Sequence, residues 1–345
     1  MKNIVLSGGG TLGSVTPLLG LKENSKNNNF IWIGTRFGPE KKLIKDYEIS
    51  FLSIFSGKIR RYISLRNITD IVKIFIGCCQ SLYYLKRRQV DLCITAGGFV
   101  SVPVHLSAWL LGIPTWVHQQ DVEPGLANRL MAKIADKVTV SLQTSKEKFD
   151  REVEWIGNFV RSEITETSKL KAIDFFNLEK KPTLLALGGG TGARTINKLI
   201  AKSISEIIDS FQLIHIAGTD REKKYLRKLE ADYEGYKVYE LLNKMSYAYS
   251  ASDFIICRAG FATLTELSAL NKKAILIPKP GHQEENAELF SNIKGVTVLT
   301  EPVDKEEFVK EIKDLSSQKV KPDYDKILPI TKKETTTGII NNLLT

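Results

Sequence analysis

Two clusters of glycine follow β-type runs in this sequence, about half a chain apart. The first cluster covers residues 8–13 and the second covers residues 188–192. A glycine-rich turn between a strand and a helix lets bare backbone N–H groups approach a ligand, most often a phosphate. The repetition predicts two similar α/β domains that face each other across a cleft. For the first cluster a purely structural turn is the alternative, because it lacks the lysine of a Walker A loop and is not a clean GxGxxG sequence.

A polar segment directly after the apolar run 114–118 offers groups for acid–base chemistry. In twelve residues it holds a histidine, two glutamines, an aspartate, a glutamate, an asparagine and an arginine. Asp121, His118 or Glu123 could act as a general base, and the amides could bind sugar hydroxyls. A structural histidine is the alternative for His118. The run 95–103 is a third glycine-rich strand end, which forms either a tight turn or a close backbone approach to a polar ligand.

Two further polar turns follow apolar runs in the second half. In residues 257–266 a helix start could hold a phosphate, helped by the hydroxyl of Thr263, while Glu266 could bind ribose hydroxyls. The alternative is a capping box with Thr263 as N-cap and Glu266 at the third position. Gln283 and Asn286 stand one helical turn apart and therefore share a face. The DxD sequence at residues 323–325 lies in a polar tail and is interpreted as a linker, so no metal site is expected there.

Composition limits the class of protein. The 345 residues carry a formal net charge of +10, which favours anionic partners, although a generally lysine-rich proteome would give the same balance. None of the four cysteines stands in a CxxC pair, so we expect free thiols and neither a zinc site nor a disulfide framework. The most apolar stretch, 99–117, is interrupted by two prolines and a histidine and does not predict a membrane span. The N-terminus enters a strand directly, and no signal peptide is expected.

Runs of β-branched residues alternate with helix-length segments along the whole chain. The predicted strands are 4–6, 30–33, 92–95, 114–118, 137–140, 183–187, 213–216, 237–239, 254–257, 274–278 and 296–299. This rhythm predicts an α/β protein with two Rossmann-like domains, in which ligands bind at the carboxyl ends of the strands. We place the domains at residues 1–158 and 159–328. The tail 329–345 is expected to form a short helix that packs back toward the N-terminal domain.

Taken together, the motifs resemble one family across nearly the whole chain, the MurG-type N-acetylglucosaminyltransferases of peptidoglycan synthesis, which have the GT-B fold. The family pattern runs GGTGGH, GGY-S-P, HEQN, GN-VR, GGSQGA, a loop containing DM, SRAG-T-E and HQ-NA. This chain shows these motifs in the same order and at similar spacing. No single motif is decisive, but the ordered set is highly specific.

The resemblance implies a C-terminal domain that holds UDP-N-acetylglucosamine. On this side the chain matches the family well, with Gly190 in place of the usual serine and Thr191 in place of glutamine. Leu242 stands where a backbone contact holds the uracil, and Glu266 stands where the ribose is bound. The implied donor-side residues are Arg161, Gly189, Gly190, Thr191, Gly192, Leu242, Arg258, Gly260, Thr263, Glu266, Gln283 and Asn286.

The acceptor side departs from the family pattern at the positions nearest the reaction. Ser14 replaces a histidine, Phe99 replaces a tyrosine, and Gln119 and Asp121 replace the glutamate and asparagine of HEQN. We hypothesise that Asp121 takes the proton of the acceptor hydroxyl. The implied catalytic positions are Asp121, His118 and Ser14, and the implied acceptor-side binding positions are Thr11, Gly13, Gly98 and Asn128.

The resemblance implies inverting transfer to the 4-hydroxyl of a lipid-linked N-acetylmuramyl-peptide, without a metal or other cofactor. The expected partners are UDP-N-acetylglucosamine, a polyprenyl-diphosphate-linked acceptor and the anionic cytoplasmic face of the cell membrane. The basic and apolar segment 58–66 is a candidate for membrane contact, and a solvated basic face is its alternative.

Three other functions compete with this interpretation. The same fold could act on another lipid or small-molecule acceptor, or the chain could bind a UDP-sugar with little catalysis. A dehydrogenase is disfavoured, because the end of the second strand reads Gly34-Thr35-Arg36 and supplies no acidic residue for a ribose. No nucleic-acid-binding motif is present, and nucleic acid is not an expected partner.

Overall fold

The computed structural model describes residues 1–25, 27–57, 65–189, 192–218 and 223–345. The chain divides into two compact units, one formed by Met1–Arg161 with Leu328–Thr345 and the other by Ser162–Ile327. Each unit is built on one sheet of parallel strands, a seven-stranded sheet in the first and a six-stranded sheet in the second. The prediction of two Rossmann-like α/β units is confirmed.

The first unit alternates strands and helices. Its strands are β1 (Asn3–Ser7), β2 (Asn29–Thr35), β3 (Ser50–Ile54), β4 (Leu92–Thr95), β5 (Thr115–Gln119), β6 (Lys137–Val140) and β7 (Glu154–Trp155). Its helices before residue 161 are α1 (Thr16–Asn24), α2 (Glu40–Lys45), α3 (Leu65–Arg87), α4 (Ser101–Leu110) and α5 (Leu126–Ala132), and Gln143–Lys148 form a 3-10 helix. Helices cover the sheet, which explains why the inner strands are continuous apolar runs.

The strand order of the first sheet is β3-β2-β1-β4-β5-β6-β7. The order reverses between β1 and β4, whose last residues Ser7 and Thr95 are paired. Loops leave a doubly wound sheet in opposite directions at such a switch point, and a crevice opens at the carboxyl ends of its strands. The first glycine cluster and the run that contains Gly97 and Gly98 both begin at this point.

The second unit repeats this plan. Its strands are β8 (Thr183–Leu187), β9 (Gln212–Ile216), β10 (Tyr236–Tyr239), β11 (Phe254–Cys257), β12 (Lys273–Leu276) and β13 (Val296–Val298), in the order β10-β9-β8-β11-β12-β13. Its helices are α6 (Ser162–Glu166), α7 (Lys169–Phe176), α8 (Arg194–Ile208), α9 (Lys223–Asp232), α10 (Met245–Ala251), α11 (Phe261–Leu270), α12 (His282–Phe290) and α13 (Lys305–Ser317). The switch point lies between β8 and β11, where Leu187 pairs with Cys257.

The interpretation of residues 323–325 as a linker is wrong at its central residue. Tyr324 is fully buried, and its hydroxyl donates to the carbonyl of Lys272 at 2.7 Å. The ring lies 6.0 Å from that of Phe290. This segment therefore anchors the end of the second unit.

The C-terminal segment belongs to the first unit. Ile330 bridges Asn158, and α14 (Lys333–Leu344) buries Ile339 and Ile340 in the core that holds Trp32. Gly157 permits this contact because its φ is +80° and an added Cβ would lie 2.0 Å from the carbonyl oxygen of Pro329.

We expect Gly157→Ala to destabilise the first unit by about 2–4 kcal/mol, because left-handed strain and the clash with Pro329 add together. All four tryptophans lie in this unit, so urea unfolding followed by tryptophan fluorescence reports on it. Gly338→Ala in α14 is the matched control, since nothing lies within 4 Å of its added Cβ. An alanine there favours the helix by about 0.5–1 kcal/mol. Equal midpoints for Gly157→Ala and the wild type would contradict this account of the tail.

No helix among the residues that the structure describes is both long and apolar enough to cross a membrane. The same residues contain no group of three or more histidine, cysteine, aspartate or glutamate side chains placed to hold a metal ion.

Candidate active site

The first glycine loop is held by a buried glutamate that the sequence did not point out. Glu40 has no exposed surface, and its Oε1 accepts hydrogen bonds from the backbone N–H (2.8 Å) and hydroxyl (2.5 Å) of Thr35. Its Oε2 accepts a bond of 3.3 Å from the N–H of Gly10. One N–H of the loop is therefore already used inside the protein.

The turn after β4 packs against this loop backbone to backbone. Gly98 has a φ of +85°, and a Cβ there would lie 2.4 Å from the carbonyl oxygen of Gly9. The ring of Phe99 lies against Gly10, with its Cε1 2.6 Å from the position of an added Cβ. The close approach thus joins two protein segments, and only glycine fits at residue 98.

Ser14 closes the first loop from within. It is 8% exposed, and its hydroxyl donates to the carbonyl of Thr11 at 3.5 Å. The hydroxyl thus points back into its own turn, and the catalytic role of Ser14 stays a prediction. Thr11 and Gly13 are exposed on the same loop and remain predicted binding positions.

His118 is a structural residue, which corrects its prediction as a catalytic group. The side chain has no exposed surface, and its Nδ1 lies 2.9 Å from the hydroxyl of Thr139. Its Nε2 lies 3.0 Å from Oδ1 of Asn158 and 3.1 Å from the hydroxyl of Ser141. Burial lowers the pKa of His118 to about 4. A fully enclosed ring with both nitrogens engaged is not placed to receive a proton from a substrate.

Glu123 is also removed from the candidate bases. It forms ion pairs with Arg129 and Lys148 at the surface. The hydrogen bond from Lys148 is the main cause that lowers its pKa. A carboxylate stabilised as an anion by two cations is a poor proton acceptor.

Asp121 is thus the remaining candidate base in the loop after β5. Hydrogen bonds from neighbouring side chains hold the backbone of this loop. Gln119 donates through Nε2 to the carbonyl of Asp121 at 2.7 Å, and its Oε1 accepts a bond of 2.6 Å from Asn128. The hydroxyl of Ser145 lies 3.3 Å from the same Asp121 carbonyl. Asp121 itself is half-buried. The replacement at residue 119 therefore holds the backbone at residue 121, whatever side chain stands there.

Two buried oxygens near this loop lack a hydrogen-bond partner within the described part of the chain. They are Oε1 of Gln120 and Oδ1 of Asn128. The amide nitrogen of Gln120 donates to the carbonyl of Gly13 at 3.0 Å, which links this loop to the first glycine loop. Unpaired buried acceptors are costly and are normally satisfied by a donor. Both oxygens only accept, so any partner that they gain must present a hydroxyl or amide hydrogen.

In the second unit the glycine loop again depends on close backbone packing. Gly192 has a φ of +82°, and an added Cβ would lie 2.3 Å from the carbonyl oxygen of Ala217. Gly189 also has a positive φ of +80°, with open space beside it. Gly190 and Thr191 lie outside the described residues, so their predicted contact with the donor stays a prediction.

Arg258 joins three strand ends at the switch point of the second unit. Its Nη1 donates to the carbonyls of Ile277 (2.9 Å) and Pro278 (3.1 Å) and to the carboxylate of Glu301. Its Nη2 lies 3.5 Å from the hydroxyl of Thr195. Burial raises the pKa of Glu301, but the hydrogen bonds from Thr195 and Arg258 outweigh it and leave that pKa below its usual range. The guanidinium is thus a positioning group for the turn that follows.

The turn from Arg258 into α11 has the predicted order of strand, glycine turn and helix, and its nucleotide contacts stay a prediction. Gly260 is the N-cap in an extended conformation, so Thr263 is the third residue of the helix and the capping-box alternative is wrong. Glu266 lies half-buried one turn further on, and its charge helps to raise the pKa of the Cys257 thiol at the strand end. The start of α11 and Glu266 therefore both lie near the carboxyl end of β11.

The start of α12 lies beside this turn. Asn286 is buried and donates to the carbonyl of Ala259 at 3.2 Å. Gln283 accepts a hydrogen bond of 3.0 Å from the N–H of Lys279, and its Nε2 lies 3.8 Å from the position of a Cβ on Gly260. Gln283 and Asn286 therefore both lie beside the turn that holds Ala259 and Gly260, as expected of two side chains on one face of α12.

Two further predicted donor residues belong to other elements of the chain. Leu242 is half-buried in the loop between β10 and α10. Arg161 ends the main segment of the first unit, where its Nη1 donates to the hydroxyl of Tyr47 at 3.3 Å. Their roles stay predictions.

The two parallel α/β units, each with glycine turns at its switch point, match the GT-B fold class, and the family match makes the chain a glycosyltransferase. The chain belongs to glycosyltransferase family 28, because residues 4–140 match the N-terminal domain of that family and residues 183–337 match its C-terminal domain.

Relatives with similar sequences share a name that is more specific than the family. The chain is 37% identical over 309 residues to the UDP-N-acetylglucosamine--N-acetylmuramyl-(pentapeptide) pyrophosphoryl-undecaprenol N-acetylglucosamine transferase of Legionella pneumophila strain Lens, covering 86% of this chain and 84% of the relative. It is 33% identical to a transferase of the same name, numbered 3, from Bacillus thuringiensis strain Al Hakam, covering 92% of each chain. The MurG-type family resemblance is confirmed.

Solved structures show the same fold. The crystal structure of Acinetobacter baumannii MurG matches with a TM-score of 0.72 and 22% identity over 99% of both chains. The S. aureus MnaA–UDP co-structure matches with a TM-score of 0.69 and 15% identity, covering 99% of this chain and 96% of that one.

Proposed function

We propose that this protein transfers N-acetylglucosamine from UDP-N-acetylglucosamine to the 4-hydroxyl of a lipid-linked N-acetylmuramyl-peptide, the step from lipid I to lipid II. The observation that carries the proposal is the group formed by Gly260, Gln283 and Asn286 at the switch point of the second unit, in a chain of this family. The similar transferases from Legionella and Bacillus, which bear the corresponding name, support the donor and the acceptor.

On the donor side, the start of α11 faces the diphosphate and Glu266 binds the ribose hydroxyls. A helix start attracts negative charge through its free N–H groups. The leaving diphosphate gains charge as the sugar departs, so donors fixed in advance at that position stabilise the transition state most. In this proposal backbone N–H groups rather than a protein-bound metal hold that charge.

On the acceptor side, Asp121 takes the proton of the attacking hydroxyl. The oxygen of that hydroxyl forms a bond to the anomeric carbon, the bond from this carbon to the diphosphate oxygen breaks, and UDP leaves with the electron pair. Attack from the opposite face inverts the anomeric configuration. The unpaired oxygens of Gln120 and Asn128 accept hydrogens from the acceptor sugar or its amide.

We further propose that the enzyme works as a peripheral protein at the cytoplasmic face of the cell membrane, in cell-wall synthesis and hence in cell shape and division. An apolar face of α3 supports the membrane contact, since Val72, Phe75, Ile76 and Tyr83 recur at helical spacing and are exposed. Contiguous exposed apolar surface is typical of a binding face. The predicted segment 58–66 lies outside the described residues from 58 to 64, and only the backbone of 65 and 66 is described, so its role stays a prediction.

We expect Phe75→Ser combined with Val72→Ser to lower binding to vesicles of anionic phospholipid by about 30-fold or more, because two side chains leave the membrane boundary and each is worth about 1–3 kcal/mol when buried. Phe75 is 70% exposed, so the substitutions should not disturb the core. Leu170→Ser, at a residue that is 79% exposed in the second unit, is the matched control and should bind vesicles like the wild type. Co-sedimentation measures all three, and equal binding by the double variant would exclude this face.

The proposed function is tested by UDP release from UDP-N-acetylglucosamine with and without a lipid I analogue, in buffer containing EDTA. Mass spectrometry of the lipid then identifies the product. Release that depends on lipid I, with a disaccharide on the lipid, is the expected result. Binding of UDP-N-acetylglucosamine without turnover on lipid I would reject the proposed acceptor, and activity that disappears in EDTA would reject charge stabilisation by the protein alone.

A further inference from the structure

A chain of buried hydrogen bonds crosses the second unit beneath its glycine loop. The hydroxyl of Tyr236 lies 2.8 Å from Nδ1 of His215, and Nε2 of His215 lies 3.0 Å from Oδ1 of Asn197. The amide nitrogen of Asn197 donates to the carbonyl of Ala217 at 3.0 Å. All four residues are buried. Neither the donor site nor the acceptor site described above uses any of these side chains.

The direction of each bond in this chain is fixed by chemistry. A carbonyl only accepts, so the nitrogen of the Asn197 amide must face Ala217 and its oxygen must face His215. Nε2 of His215 therefore carries the hydrogen, and Nδ1 accepts from the hydroxyl of Tyr236. Burial lowers the pKa of His215 to about 3, so the ring is neutral at working pH. A single tautomer then makes both bonds.

The chain ends on the carbonyl against which the glycine loop packs. Gly192 approaches Ala217 so closely that an added Cβ would lie 2.3 Å from that oxygen. Asn197 stands in the first turn of α8, where its N–H bonds to the carbonyl of Ala193 at 2.9 Å. The amide of Asn197 thus fixes the helix start, the end of the glycine loop and the residue after β9 relative to one another.

We propose that His215, Asn197 and Tyr236 are positioning residues that fix Gly192 and the start of α8 and, through them, the affinity for the nucleotide diphosphate. The inference rests on the proposed function, in which this loop holds UDP. A buried histidine costs desolvation that an apolar side chain of similar size avoids. The histidine has a reason here, because its Nε2 donates to the oxygen of the Asn197 amide. That bond keeps the amide nitrogen of Asn197 turned toward Ala217.

The same strand supplies a matched control. Gln212, at the opposite end of β9, is also buried and also bonds to backbone carbonyls, those of Glu179 (3.1 Å) and Lys181 (2.9 Å). Replacing Gln212 by leucine removes comparable bonds from the same strand, away from the loop. It therefore measures what loss of stability alone does to UDP binding.

The experiment measures UDP affinity by isothermal titration calorimetry at a temperature at which each variant is folded by circular dichroism. His215→Leu is expected to weaken UDP binding by about tenfold, the effect of about 1.4 kcal/mol, whereas Gln212→Leu binds like the wild type. His215→Gln should restore most of the affinity, because its amide nitrogen can replace Nε2 as a donor. His215→Asn should not, because its shorter amide does not reach Asn197.

The possible results distinguish a failure of this inference from a failure of the proposed function. Wild-type affinity in folded His215→Leu would overturn the inference, as would equal weakening in Gln212→Leu. If His215→Leu does not fold, Tyr236→Phe takes its place, with an expected loss of about threefold from one hydrogen bond, and wild-type affinity there overturns the inference as well. A wild-type protein that fails to bind UDP would instead overturn the proposed function.

Discussion

Asp121→Asn is expected to lower kcat by about 10²–10⁴-fold while leaving the KM for UDP-N-acetylglucosamine near its wild-type value. An amide of the same shape keeps the loop, since the carbonyl of Asp121, and not its side chain, receives the bond from Gln119. It cannot take a proton from the acceptor hydroxyl. Steady-state rates over the whole pH range, with lipid I analogue and donor varied separately, provide the measurement.

The shape of the pH profile distinguishes Asp121 from the other candidates. A carboxylate base gives the wild type an acidic limb, because protonation removes the acceptor for the hydroxyl proton. The variant should show a low, flat rate across that limb. Unchanged turnover at every pH would refute the hypothesis. Glu123→Gln is the control in the same loop, and we expect near-wild-type kcat because this side chain is engaged by Arg129 and Lys148 at the surface.

The strands were largely predictable because parallel strands covered on both faces are continuous apolar runs. Each of the eleven predicted runs coincides with or overlaps a strand of the structure. The two that were not predicted are β3 and β7, the edge strands of the first sheet. β3 contains two serines in five residues, and β7 is only two residues long. The edge strands of the second sheet, β10 and β13, were predicted from their β-type runs, so composition and length rather than edge position hid β3 and β7.

The glycine turns and the α11 segment were predictable because their signal is local. Glu40, Asn197 and Glu301 were not, although each holds a functional turn in place. Each acts on a turn that is distant in sequence, as Glu40 does on Gly10 and Glu301 does on Arg258. A carboxylate or amide among many others gives no sign of such a partner. A GT-x-x-x-x-E spacing after the second strand is the one signal that could have pointed to Glu40.

The case of His118 shows why residue type alone does not assign a role. Its position after an apolar strand and among polar residues suited a base, and the structural alternative was equally consistent with the sequence. The fold decides, because Thr139 and Ser141 at the end of β6 and Asn158 after β7 enclose the ring. His215 in the second unit has the same kind of setting, with Asn197 and Tyr236 as partners.

Glu301→Gln is expected to destabilise the second unit by about 1–3 kcal/mol and to raise the KM for UDP-N-acetylglucosamine by about tenfold, because it leaves the charge of Arg258 without its carboxylate in a largely enclosed place. The side chains of Arg258 and Glu301 are 15% and 24% exposed. Gly260 and the start of α11 follow Arg258 directly, so loosening the arginine loosens the donor turn. Hydrogen exchange of peptides from the second unit measures the stability.

The pH dependence gives this prediction a second readout. The pKa of Glu301 is lowered in the folded protein, so its contribution is complete above the ordinary glutamate pKa and is lost as pH falls below that value through the lowered one. The difference in stability between wild type and Glu301→Gln should therefore be constant near neutrality and shrink below about pH 4.5. Charging of the buried His215 also destabilises this unit as pH falls below its unfolded pKa, but it acts on both proteins and cancels in the difference.

Glu206 is the control for Glu301, because it is a carboxylate of the same unit whose ion pair is more exposed to water. Hydrogen bonds from Lys305 and Ser205 lower its pKa to about 2, yet its side chain is 36% exposed and water screens the pair. We therefore expect Glu206→Gln to leave both the exchange of the second unit and the KM for the donor unchanged. If Glu301→Gln behaved like Glu206→Gln, the link from Glu301 through Arg258 to the nucleotide turn would be excluded. If its stability fell while the KM stayed constant, the pair would support the fold of the second unit without shaping the donor site.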